Sequence, residues 1–153
     1  MRIRRRVKTA RLGDPGLAHR LAALRAVVDL AVRLQPDAEE IIAECCRPGE
    51  PLPDLARRGG RIVSEYARLH LLAIDLDADA VPGSLPSRIA DLLLHHASTV
   101  EGCLRLAFSQ FWDPAEPRTG HRHTGLGADP ARALRDSRTL LTMWLAELSR
   151  TPA

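Results

Sequence analysis

The side chains in this 153-residue sequence that could hold a metal or drive a reaction are six histidines, three cysteines and a few clustered acids. Asp75, Asp77 and Asp79 have the alternating spacing that opens a calcium loop. Such a loop also needs glycine at its sixth position and a bidentate acid at its twelfth. Those positions hold Ala80 and Pro86, so a polar helix-end loop is expected instead. His121 and His123 sit two apart in a segment rich in Pro, Gly and Thr. A stable transition-metal site takes three or four ligands, and no cysteine or second histidine pair has matching short spacing. His95 and His96 are adjacent, but bundle metal sites of the carboxylate type use Glu-x-x-His pairs, and no glutamate here has a histidine three residues on. His96 falls on an apolar stripe and reads as a core or boundary residue with one hydrogen bond. Neither a metal nor a cofactor is expected.

Cys103 could in principle be activated by a histidine such as His96. A reactive thiol needs a cationic or helix-N-terminal setting, whereas Cys103 falls on the apolar face deep in a helical pattern, so it reads as a small core residue. Cys45 and Cys46 are neighbours, and the count of three is odd. No apolar signal-peptide core follows the basic first residues, so reduced thiols in a cytoplasmic protein are expected. The sequence has no nucleophile-elbow serine motif, phosphate-binding glycine loop or dinucleotide fingerprint. No catalytic residue is assigned, and the reading leans away from an enzyme.

Charge is unevenly spread. Arg2, Arg4, Arg5, Arg6, Lys8 and Arg11 put six cations and no acid into residues 1–12, so the net +3 of the chain leaves −3 for the rest. That tail could neutralise phosphates without sequence preference, though no aromatic residues interleave it and no helix-turn-helix follows. All cations except Lys8 are arginine, and asparagine is absent. This bias is the one expected of a GC-rich bacterial genome, so arginine content alone says nothing about nucleic acid. Arg57, Arg61 and Arg68 share a helix face with Glu65 between them, a pattern of solvated pairs. Arg132, Arg135 and Arg138 sit in the first turns of a helix, where the dipole disfavours cations. Pairing with Asp129 and Asp136 is expected there. Four of the five aromatics, Phe108, Phe111, Trp112 and Trp144, lie late in the chain and could fill core, line a pocket or meet a partner.

The elements that must carry these residues are helices. Apolar content is 45% but aromatic content only 3%, and the excess is leucine and alanine, strong helix formers. Asp14-Pro15 reads as a helix start, followed by Leu17, Leu21, Leu24, Val28 and Ala31 with Val27, Leu30 and Leu34 beside them. Pro36 is expected to end or kink that helix, with 37–46 a further short helical piece. A second helix follows Asp54 with the stripe Leu55, Ile62, Tyr66, Leu69 and Ala73. Gly59-Gly60 reads either as a frayed start, the firm helix beginning near Arg61, or as close backbone contact with a neighbour. Ser84 is expected to cap a third, most apolar helix with the stripe Ile89, Leu92, Leu93, His96, Val100, Cys103, Leu104, Ala107, Phe108 and Phe111, closed by Trp112 and Asp113-Pro114. A long loop over 113–128 precedes a fourth helix with Leu134, Leu141, Leu145 and Leu148. Residues 13–150 thus predict an all-α, single-domain antiparallel four-helix bundle.

Three functions survive. The first is a non-enzymatic interaction or accessory protein that binds another protein or its own copy. The second is a nucleic-acid-associated protein anchored by residues 1–12. The third is a small-molecule- or metal-binding bundle with the 113–128 loop as a lid over the aromatic cluster. No stretch approaches a membrane span.

Overall fold

The computed structural model describes residues 15–77, 82–109 and 125–150, and these form four α-helices. They are α1 (Pro15–Cys45), α2 (Pro53–Asp75), α3 (Leu85–Ala107) and α4 (Ala128–Arg150). The termini follow local chemistry. Pro15 and Pro53 each occupy the first helical position, where a missing N–H costs nothing because that group has no intrahelical partner. The Ser84 hydroxyl accepts from the Ser87 N–H at 3.2 Å and donates to the Asp77 carboxylate at 3.1 Å. Asp77 therefore serves the α2–α3 turn, where Gly83 takes a left-handed φ of 77°. At α4 the Ala131 N–H closes on the Gly127 carbonyl, and Asp129 lies in the first turn.

Pairwise contacts fix the topology. The Tyr66 hydroxyl of α2 donates to the Ala31 carbonyl of α1 at 3.2 Å, while Arg58 reaches Glu44, so α1 and α2 run antiparallel. Gly59 lies against Leu104 and His70 Nδ1 lies 2.8 Å from the Ala90 carbonyl, which sets α2 antiparallel to α3. Gln35 meets Ala131 and Asp29 meets Arg138, so α4 runs back along α1. The result is an up-down-up-down bundle. Among the described residues, α2 and α4 occupy one diagonal and do not touch, while α1 and α3 meet across the other.

The core is aliphatic, as the composition requires. Leu24, Val28, Ile42, Leu55, Leu69, Ile89, Leu93, Leu134 and Leu141 are buried, with Tyr66 and His96 among them. Burying each large side chain stabilises the fold by about 1.5–3 kcal/mol. All five stripe residues of α2 are buried. Leu30, read as part of the row beside the α1 stripe, instead remains more than a third open, as does Leu72 on α2. Leu145, Leu148 and Trp144 are half-buried near the end of α4.

Two sequence expectations are corrected. Pro36 neither ends α1 nor separates a second piece, for the helix runs 31 residues through it. Pro36 is exposed, so water can reach the Val32 carbonyl that loses its donor. Ala31 and Ala38 on either side of it are fully buried, and that anchoring offsets the roughly 3 kcal/mol of an interior proline. Nor does α2 fray at its glycines. Gly59 is buried inside the helix, and a Cβ there would stand 2.6 Å from the Leu104 methyl carbons. Close approach to α3 is the reason for Gly59, whereas Gly60 faces open space.

Candidate functional site

At the centre of the bundle, polar groups from four helices meet. His96 is fully buried, and its Nδ1 lies 2.7 Å from the Leu92 carbonyl. A carbonyl only accepts, so Nδ1 carries the proton and Nε2 of the neutral ring is an acceptor. The Gln35 amide nitrogen faces that Nε2 at 3.4 Å and donates its other hydrogen to the Ala131 carbonyl at 3.0 Å. The Gln35 carbonyl oxygen accepts from Arg135 Nη1 at 3.0 Å. This orientation of the amide is the one consistent with a neutral imidazole, since the flipped amide would face an oxygen to a bare nitrogen. Burial holds the His96 pKa below 6.5, opposed in part by the Leu92 carbonyl, while nearby His95 lowers it further. The Tyr66 ring packs on His96 with centroids 5.2 Å apart. Burial pushes the Tyr66 phenol up, with Glu39 and Asp37 adding to the shift.

Gln35 escaped the sequence reading although a signal was present. Positions 24, 28, 31, 35, 38 and 42 form one helical row of alternating four- and three-residue steps, every other member of which is buried and apolar. A lone glutamine in such a row must find partners inside the protein. The expectation of a break at Pro36 hid the row. The cluster is closed: both amide hydrogens and the carbonyl oxygen of Gln35 are engaged. It therefore ties α1 to α3 and α4 and leaves no N–H donor of Gln35 for a substrate.

The other sequence candidates disperse. His95 is exposed with its ring 6.1 Å from that of His96, and among the described residues no three His, Cys, Asp or Glu side chains gather to hold a metal ion. Cys103 is buried, and burial, with Cys46 nearby, pushes its thiol up to about 11. That is the reverse of nucleophile activation. Arg132 pairs with Asp129 at 2.9 Å, as expected. Arg135 and Arg138 instead reach across to Gln35 and Asp29 of α1. Glu65 pairs with Arg68 at 2.9 Å. Of the aromatic cluster, Phe108, expected as a core residue on the stripe of the third helix, instead caps α3 and stands exposed, because the helix ends at Ala107; Trp144 is half-buried on α4. Phe111 and Trp112 lie outside the described residues, as do Arg2, Arg4, Arg5, Arg6, Lys8, Arg11, Asp79, His121, His123 and most of the 113–128 loop.

Two surface features remain. A groove of about 540 Å³ runs between α1 and α2, floored by Leu34, Ile41 and Ile62 and rimmed by charges including Arg33, Asp37 and Arg61. Arg58 at its end is bound to Glu44 at 2.6 Å, with Asp54 and Glu40 at 3.2 and 3.6 Å. The second is the outside of the α2–α3 pair, where Leu71 (60% open), Leu94 (48%), Ile74 (47%) and Phe108 (43%) stand in solvent. Among the described residues, no helix is long and apolar enough to cross a membrane. No family model, curated protein or solved structure matches this chain.

Proposed function

We propose that this chain is a protein-binding helical bundle that works without a catalytic centre of its own. The supporting observation is the group of large apolar side chains outside α2 and α3: Leu71, Ile74 and Leu94. Scattered single leucines on a protein surface need no explanation. Leu71, Ile74 and Leu94 lie within about 11 Å of one another along the helix axes in the register set by Gly59–Leu104 and His70–Ala90, a grouping of the kind that marks a protein contact. The polar cluster at Gln35 and His96 belongs to this reading as scaffold, because it holds three helices in fixed register beneath that surface.

A photo-crosslinking side chain placed at position 71 in the native host tests the proposal. The expected result is a discrete adduct, either to another protein or to a second copy of this chain. A control at the exposed Arg47, at the far end of α1, is expected to give none. Equal, diffuse labelling at both positions would overturn the reading.

A further inference from the structure

One strip of α2 is free of charge. Ala56, Gly60, Ser64, Ala67, Leu71 and Ile74 follow at helical spacing along it, with the exposed Arg57, Arg61, Arg68 and Asp75 beside it. The neighbouring face of α3 presents Leu94, Ser98 and Phe108, with Glu101 and Arg105 joined in an internal ion pair at 2.6 Å. The two faces are in known register, because Gly59 lies against Leu104 and His70 against Ala90.

We infer that the α2–α3 face binds a second copy of this chain, about a two-fold axis running along the helices. That axis lays α2 of one copy on α3 of the other, antiparallel, repeating across the seam the pairing already made within each chain. A two-fold contact sets the combined α2–α3 face against itself, so the α2 strip meets the α3 strip of the other copy. The α2 strip carries no charge to oppose the Glu101–Arg105 pair there. The margins of the face are complementary. Arg68 edges the α2 side and Asp91 the α3 side. Arg68 is two residues before His70 and Asp91 one after Ala90, so the two stand at nearly the same height along the bundle. The axis brings each Arg68 to the Asp91 of the other copy. Among the described residues Asp91 has no ion pair within its own chain, whereas Arg68 shares Glu65.

Area agrees with this occupant. Two helices of 23 residues side by side present a face about 35 Å long and about 20 Å wide, or about 700 Å². A standard stable interface takes roughly 800 Å² from each partner.

This inference rests on the protein-binding reading above and names its partner. Light scattering on the full chain, across a concentration series to about 100 μM, tests it. The expected species has twice the 16.8-kDa chain mass. The double variant Leu71→Arg/Leu94→Arg is expected to run as a monomer with unchanged helical circular dichroism. Arg68→Glu and Asp91→Arg are each expected to weaken the dimer about five- to tenfold, and the pair together to restore it to within about threefold. A dimer indifferent to all four variants would overturn the proposed face. A monomer throughout would overturn the second copy as occupant. In that case, a crosslink from position 71 to another protein would leave the protein-binding reading standing, and the absence of any adduct would remove both.

Discussion

Gln35 has one amide group and three partners on two other helices, so its loss is felt well beyond its own volume. Gln35→Leu fills the space but leaves the His96 Nε2 and the Arg135 guanidinium without their contacts. Leaving a buried acceptor unpaired costs about 1–3 kcal/mol, and a denaturant melt is expected to show a loss of that size without loss of helix content. His96 adds a pH dependence whose sign is fixed by burial. Its native pKa lies below 6.5, so below that pH the unfolded chain binds a proton the native one refuses. The His96 contribution is full above pH 6.5 and is lost as pH falls from there toward the lowered native value. A protonated ring would also present an N–H to the Gln35 amide nitrogen, donor against donor. Melts between pH 7.5 and 5 are expected to show declining stability, with a shallower decline in His96→Leu. His96 was legible in the sequence as a core histidine because it sits on the α3 stripe. Its second partner was not, because nothing local in the sequence places Gln35 opposite it.

Among the elements, α1 is the one whose sequence and structure part company. Proline disrupts a helix by removing one donor and crowding the preceding turn, and both penalties are local. Burial of Val28, Ala31, Ala38, Ile41 and Ile42 on both sides acts over the whole length and wins. Pro36→Ala restores the donor at an exposed position and is expected to raise stability by about 1–3 kcal/mol, measured by urea melts. The α2 glycines make a paired test. Gly60→Ala meets nothing within 4 Å and is expected to gain about 0.5–1 kcal/mol from helix propensity alone. Gly59→Ala must displace Leu104 and is expected to lose about 1–3 kcal/mol, with the loss reduced in a Leu104→Ala background. Helix positions, the Ser84 cap and the α2 stripe were legible because each depends on residues three or four apart. The grouping of Leu71, Ile74 and Leu94 across α2 and α3 depends on interhelical register, which no local pattern encodes.

For the molecule as a whole, composition and stripe count predict four antiparallel helices, and the up-down-up-down order follows once neighbours are known. The missing information was long-range: Arg135 and Arg138 read locally as uncomfortable cations at a helix start, yet they reach α1 about a hundred residues away. The same antiparallel order puts the first residues of α1 and the last of α4 at one pole, side by side. The turn over 46–52 lies at the opposite pole, where Gly49 takes a φ of 97°. Chain connectivity between α1 and α2 is therefore dispensable in a way that their packing is not. A short flexible linker joining position 150 to position 15, with new ends opened at Gly49, gives a circular permutant expected to keep its helical content and to melt within a few degrees of the parent. Calorimetry and circular dichroism would measure both. Such a permutant opens its new ends at the pole of Gly49, about 45 Å from position 15 along the 31-residue α1, so a fusion attached there projects from the opposite pole of the bundle to one attached at position 15.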